Sequence, residues 1–416
     1  MSSRYIWQLH EIFKKVWVRV ISFTLLALLS VVLARVLAPY LPEAIALQIG
    51  EKTVEDMLSI LTSSMLAVTT FSLAIAVSAF AAATESATPR ATILLQEDRT
   101  TQNVLATFLG AFLFGLVGLI ALHAKLYSEA GRVVVFLFTA TVIGLVVVAL
   151  IRWIGHLMEF GRMGDTLDRV ERAATASLTK RLESPFLGGR PQTEPVPDHC
   201  VAVVSVETGY IQHIDMQELQ NCADKMDTEI YVRCLPATFV HRGDVLMSVA
   251  ATDMTDEAAD AMRRAMTTGS HRTFEGDPRF GLIVMTEIAS KALSPAVNDP
   301  GTAIDVLGRL TRILSNWRDR PDADVQFSRL MVPAITAADV FEDAFRPIAR
   351  DGAGFVEVQI RLQKSLAALA RVVPDAFAVP ARKMSEDALE RARRASLLPA
   401  DMAAIQAASV TSSGKG

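Results

Sequence analysis

The residues whose types and spacing suit chemistry gather in one stretch: Arg272, Asp277, Lys291, Ser294, Asn298, Asp299 and Thr302. Arg272 and Lys291 suit an anion, whereas Asn298 and Asp299 suit a cation. Together they define a candidate site for an ion or a small polar ligand. A competing explanation is structural. Asp277-Pro278 and Asp299-Pro300 are both helix-start signals, a capping carboxylate followed by a first-turn proline, and each cap contributes about 1 kcal/mol. On that explanation Asn298 bonds the loop backbone, Thr302 supports the first turn and Ser294 ends the preceding helix. Catalysis has little to stand on. No glycine-rich phosphate loop, zinc-type His-Glu pair or nucleophile with its base can be read, and the terminal Gly414-Lys415-Gly416 lacks the upstream glycine of a phosphate loop. No catalytic residue, metal ligand or cofactor is assigned.

The elements that must position these residues follow from the two caps. Helices are expected over 278–293 and 300–317, forming a hairpin that turns at Ser294-Pro295. Beyond it a strand is expected over 325–331 and helices over 337–346, 356–373 and 385–395. Upstream, 200–206, 209–215, 228–235, 239–240 and 245–249 read as strands, with a helix over 216–226. Their order is similar to small barrel-sandwich modules of the biotinyl and lipoyl type. No lysine occupies a hairpin tip, so the module is expected to work without a prosthetic group, with His213, His241 and Asp244 as turn or surface residues. Cys200, Cys222 and Cys234 are odd in number and lack zinc spacing, which predicts reduced, partly buried thiols.

Solvent decides the first part of the chain. Residues 57–84, 104–122 and 133–151 contain no Asp, Glu, Lys or Arg, and each is close to the ~20 residues that a helix needs to cross a bilayer. Residues 16–38 make a fourth candidate, apolar apart from Arg19 and Arg35 near its ends, where long side chains can snorkel. Its length and the following Pro39-Tyr40-Leu41-Pro42 favour a retained helix over a cleaved signal. The expected fold class is therefore a membrane α-helical part with four transmembrane helices, joined to a cytoplasmic α+β domain with a small β barrel-like module and helices. Its divisions are 1–160 (transmembrane), 161–198 (amphipathic helix and linker), 199–252 (β-rich module), 253–407 (mostly helical) and 408–416 (disordered tail). Arg4, Lys14, Lys15 and Arg19 precede the first span, while 41–56 carries Lys52 among Glu43, Glu51, Glu55 and Asp56. The positive-inside rule places both termini in the cytoplasm. A net charge of −4 offers no basic footprint, so nucleic acid is not an expected partner.

Within the spans, small residues are more informative than hydrophobicity. Ser59, Ser63, Ala67, Thr70, Ala74 and Ser78 recur at steps of three or four and share one helical face. Thr107, Ala111 and Gly115 form a similar ladder in the third span, beside Gly110 and Gly118. Such faces are helix-packing seams; alternatively, the second span's hydroxyls line a polar path when several subunits assemble. No carboxylate or histidine sits mid-membrane, which weighs against proton-coupled transport. Pro89, Arg90 and Asp98, in the turn between the second and third spans, are candidates for a capped turn or for coupling the spans to the soluble domain.

The run Ala292-Leu293-Ser294-Pro295-Ala296-Val297-Asn298-Asp299-Pro300-Gly301-Thr302-Ala303, with Asp277, Phe280-Gly281, residues 86–90 and Asp98, resembles the predicted bacterial membrane-protein family of unknown function numbered 2254. The resemblance extends over nearly the whole chain. It implies four N-terminal spans and a cytoplasmic C-terminal domain in the bacterial inner membrane, and brings no catalytic assignment. The leading expectation is a homo-oligomeric, channel-like or solute-permeation assembly in the lipid bilayer, regulated by its cytoplasmic domain. The alternatives are a membrane-anchored sensor or scaffold and a membrane enzyme using the Asn298-Asp299 loop.

Overall fold

The computed structural model describes residues 16–40, 50–96, 98–158, 161–318 and 324–410. It divides into two compact units after Thr166. In the first, α1 (Val16–Leu37), α2 (Glu51–Ser86), α4 (Arg99–His123) and α5 (Glu129–Leu157) are long helices, and a single short helix, α3 (Thr92–Gln96), lies between α2 and α4. Each of the four long helices is apolar and long enough to cross a membrane. The 36 residues of α2 rise about 54 Å at 1.5 Å per residue, more than the ~30 Å hydrocarbon layer. Its charged ends, Glu51 to Asp56 and Glu85, therefore have room beyond the apolar stretch.

Helix α4 is central, packed against α1, α2 and α5. Its small residues explain how. A Cβ at Gly110 would stand 2.6 Å from the Phe23 ring, and one at Gly115 would overlap the Thr62 hydroxyl. Only hydrogen fits at these two crossings, so α1 and α2 come close to the α4 backbone, the form of packing that replaces hydrophobic collapse in lipid. Leu58, Phe108, Ala111, Phe114, Val135 and Val142 fill the interior.

The second unit is mixed α/β. Most of α6 (Met163–Glu183) belongs to it; the other elements are β1 (Gly189–Pro191), β2 (Val201–Val204), β3 (Gly209–Ile214), α7 (Met216–Lys225), β4 (Ile230–Val232), β5 (Phe239–Val240), β6 (Val245–Val249), α8 (Asp256–Arg264), β7 (Met266–Gly269), α9 (Phe280–Ala292), α10 (Pro300–Leu314), β8 (Phe327–Val332), α11 (Ala337–Asp351), α12 (Val356–Val372), α13 (Pro374–Arg394) and α14 (Pro399–Ala407). The strands do not close into the expected barrel-like module. They form two open sheets, β1-β8-β4-β6-β2 and β5-β3-β7, and among the described residues there is no closed barrel. Strand β8 runs parallel between β1 and β4, and β3 leaves its sequence neighbour β2 to pair with β5 and β7. Short-range alternation dictates which face of a strand is buried; it carries no information about a partner that arrives from far along the chain.

The later helices pack around aromatic rings. Phe377 lies 4.9 Å from Phe341 and 5.3 Å from Trp317, centroid to centroid. Two glutamines are buried in this core: Gln359 Nε2 donates to the Gly352 carbonyl at 3.0 Å while its Oε1 has no partner among the described residues, and Gln363 Oε1 accepts from the Ser385 hydroxyl at 2.5 Å. The N-terminal segment that carries Arg4, Lys14 and Lys15, and the tail from 411, lie outside the described residues.

Helix α6, expected as a connector, is built into the second unit. Leu167, Val170, Ala174 and Leu178, at helical spacing, are all buried. A Cβ at Gly281 would overlap that of Ala174 at 2.5 Å, so the missing side chain on α9 admits α6.

Candidate functional site

The polar stretch at 272–302 resolves into two separate groups. Asp277 is 2% exposed. Its carboxylate accepts from Arg272 Nε at 2.7 Å and Nη2 at 3.0 Å, a bidentate pair, and from the Arg279 and Phe280 amides at 3.1 and 3.0 Å. It thus anchors Arg272, whose guanidinium also lies over the Phe280 ring, and opens α9. Past the other end of α9, the Asp299 carboxylate accepts from the Thr302 amide at 3.1 Å and the Thr302 hydroxyl at 2.5 Å. Bonding by the Thr302 hydroxyl, then its amide, holds the Asp299 carboxyl below the usual carboxylate range. Asn298 adopts a left-handed φ of 53° and its amide donates to the Ser294 carbonyl at 2.8 Å; Ser294 Oγ donates to the Lys291 carbonyl at 2.6 Å. The 13 residues of α9 separate the groups by about 20 Å of helix rise. Arg272 and Asp277 meet, Asp299 and Thr302 meet, and Lys291, Ser294 and Asn298 stand with the second group.

Between α2 and α4, Pro89 and Arg90 are exposed on a tight turn, while Asp98 is 7% exposed. The Asp98 carboxylate accepts from the Thr101 amide at 2.7 Å as the cap of α4, and lies 3.0 Å from His156 Nε2 on α5. Thr101 Oγ1 is 3.3 Å from the same ring nitrogen. His156 escapes a reading along the sequence because it follows the last charge-free run and its partner Thr101 lies 55 residues earlier, at the start of the preceding helix. The cap itself is the legible part, an aspartate three residues before a threonine at a helix start.

The two small-residue ladders are used differently. The α4 ladder is internal: Ala111 and Gly115 are buried, Gly115 lies against Thr62 of α2, and the adjoining Gly110 lies against Phe23 of α1. On α2, the interior is made by Val54, Leu58, Leu61, Met65, Ser72 and Ala76. Ser59, Ser63, Ala67, Thr70, Ala74 and Ser78 are all exposed. Their neighbours Ile60 and Phe71 are also outward, at 66% and 67% exposure. The hydroxyls bond along the helix: Ser63 Oγ donates to the Ser59 carbonyl at 2.8 Å and Thr70 Oγ1 to the Ala67 carbonyl at 2.9 Å. A hydroxyl satisfied this way can face lipid or a second helix without an orphaned donor.

A unit of apolar, closely packed helices, each of bilayer length, attached to a mixed α/β unit defines the class: a multi-helix membrane-type protein with an extramembrane domain. The chain belongs to the family described as predicted membrane protein (DUF2254), which it matches over residues 14–368. Among its relatives are the uncharacterized proteins Mb1321c of Mycobacterium bovis and Rv1290c of Mycobacterium tuberculosis, each 31% identical over 193 residues. Those alignments take in 44% of this chain and 37% of each relative, so the chain matches well under half of their length. No solved structure matches the chain.

Proposed function

We propose that this chain is a multi-pass protein of the bacterial inner membrane that assembles into homo-oligomers through the outward face of α2 and conducts a solute along it. The α/β unit lies in the cytoplasm, as does the N-terminus, and regulates the assembly. One observation carries the proposal: Ser59, Ser63, Ala67, Thr70, Ala74 and Ser78 point away from the four-helix unit, whereas the matching ladder on α4 is consumed by internal packing. Small side chains on a lipid-phase surface allow a second helix to approach closely. Four helices are too few to enclose a useful pore, so conduction requires several copies.

A second reading, a sensor or scaffold that only packs, is favoured by the hydroxyls' bonds to their own helix carbonyls, since these hydroxyls need no water. Single cysteines at Ser63, Ala67 and Thr70 in a chain whose native cysteines are replaced should cross-link between copies in membranes; absence of cross-links removes the interface. Planar-bilayer recording of the purified protein separates the two readings. Currents altered by Thr70→Val support conduction. Cross-linked protein without currents leaves the scaffold.

A further inference from the structure

Ser177, Lys180, Arg181 and Ser184 follow one another on α6 at the spacing of a single helical face. That face lines a cavity of about 410 Å³ within the α/β unit, within the range of small-molecule sites. Opposite stand β3 and the first turn of α7, residues 212–217, and the apolar side of the cavity is made by Leu187, Pro236 and Phe327.

Two polar atoms on this face find no hydrogen-bond partner among the described residues: Arg181 Nη1 and Ser177 Oγ. Arg181 is 6% exposed, and its other terminal nitrogen, Nη2, donates to the Gly276 carbonyl at 3.2 Å. A buried guanidinium with an unused arm is costly in a folded protein and calls for an acceptor. Burial lowers its pKa to about 10 against the opposing pull of Asp277, so it is fully cationic at neutral pH. Two other polar groups in the wall are already engaged. Gln212 Nε2 donates to the His271 carbonyl at 2.7 Å, and the Asp215 carboxylate caps α7 by accepting from the Glu218 amide at 3.0 Å. Ahead of the capped Glu218 amide, the Met216 and Gln217 amides have no intrahelical acceptor and add donors.

We propose that this cavity binds a phosphate monoester with an apolar or ring-shaped substituent. Arg181, Lys180, the Ser177 hydroxyl and the α7 amides offer more donors than the two oxygens of a carboxylate can accept, and match the three terminal oxygens of a phosphate dianion. Asp215 is the one carboxylate in the wall and is turned to its own helix. The substituent lies against Leu187, Pro236 and Phe327. This site is independent of whether the helical unit conducts.

The test uses full-length protein in phosphatidylcholine nanodiscs, with phenyl phosphate as the probe and ³¹P line broadening as the readout. Wild type should broaden the phenyl phosphate signal at millimolar probe and prefer it to benzoate measured by ligand-observed proton NMR. Arg181→Met should weaken binding at least about tenfold, the usual loss for a charge-assisted bond. Ser177→Ala should weaken it about fivefold; because that hydroxyl has no partner in the fold, the variant keeps the wild-type circular dichroism and melting temperature, and it decides the matter if Arg181→Met fails to fold. Phosphate is also a lipid headgroup. Displacement of the probe by discs containing phosphatidic acid assigns the site to a headgroup, and no displacement assigns it to a soluble ester. Failure of the wild type to broaden the probe at 10 mM (a working ceiling of about the weakest useful affinity), equal binding of benzoate, or wild-type affinity in folded Arg181→Met and Ser177→Ala proteins would each overturn the proposal.

Discussion

Replacing Asp277 with alanine tests whether the polar stretch is held together by its partners. The carboxylate is 2% exposed and receives four hydrogen bonds, two from the Arg272 guanidinium and two from the amides that open α9. Loss of a helix cap costs about 1 kcal/mol. Breaking one partner of a buried ion pair adds about 3–5 kcal/mol, because the other charge is left without compensation. The Arg272 side chain is 18% exposed and can recover some hydration, which places the pair contribution at the lower end, so the total is about 3–4 kcal/mol. Asp277→Asn keeps one acceptor for the α9 amides and loses the charge, for an expected cost of about 2 kcal/mol. In Arg272→Met/Asp277→Ala the uncompensated cation is gone, so the double variant should be more stable than the sum of the singles by about 1–3 kcal/mol. Hydrogen exchange read by mass spectrometry on peptides across 280–292 of the full chain measures these differences locally. A loss under about 1 kcal/mol for Asp277→Ala, typical of an exposed pair, or strict additivity in the double variant, would refute the claim that a buried, mutually dependent pair starts this helix.

Three further outcomes follow from the same geometry. Gly115→Leu must overlap Thr62 where α4 meets α2 and should cost about 1–3 kcal/mol, seen as a lower aggregation temperature in detergent; Gly144→Leu, with open space around its Cβ position, should match wild type. Cys222 and Cys234 are 6% and 7% exposed and burial pushes their thiols up, so brief iodoacetamide treatment at pH 7.5 (about a unit below an ordinary thiol pKa) should leave both unmodified by mass spectrometry until denaturant is added. Because the Asp299 pKa is lowered from its ordinary 3.8, its cap contributes stability above that value and loses it as pH falls through the lower folded value. Exchange protection at the start of α10 should therefore weaken below about pH 4 in wild type, and Asp299→Asn should flatten that dependence.

How much of this was legible along the sequence varies by element for physical reasons. The four apolar helices are legible because an apolar run of bilayer length, charge-free in three of them and with arginines only near the ends of the first, has few alternatives to a helix. The Asp-Pro pairs at 277–278 and 299–300 are legible because capping is local chemistry. Two helix lengths are misjudged at prolines. A helix expected to end at Arg346 runs through Pro347 to Asp351, and one expected to begin at Ser385 already starts at Pro374 and contains Pro380. A proline removes one amide donor, and the core contacts of Phe345, Ile348 and Phe377, all fully buried, outweigh that local loss. The start of α8 carries a local capping signal, Thr255, whose hydroxyl accepts from the Ala258 amide at 3.3 Å. Sheet order and the α6 cavity were out of reach: β8 arrives from beyond α10, and the wall facing Arg181 is assembled from β3, α7, Pro236, Gly276 and Phe327.

The contents of α6 change what the link between the helical part and the α/β part means. In chain order this helix follows α5 closely, yet from Leu167 onward its residues are committed to the α/β unit. Glu171 bonds Arg312 through both oxygens at 2.8 Å and Arg309 at 2.8 Å, and Asp168 also meets Arg309, whose guanidinium reaches back to Asp305 at 3.0 Å. Arg309 is 8% exposed, so this cluster has the character of an anchored network and not of a screened surface pair. One turn on, Ala174 sits against the bare Gly281 backbone, and two turns further Arg181 reaches the cavity. Between Asp168 and Arg181 the helix is fixed at successive points along about 20 Å of rise, so whatever engages Arg181 acts on the same element as the Arg309 cluster. From Leu167 onward the α6 segment is therefore a structural member of the α/β unit, held there by its apolar face, by the Arg309 cluster and by Gly281.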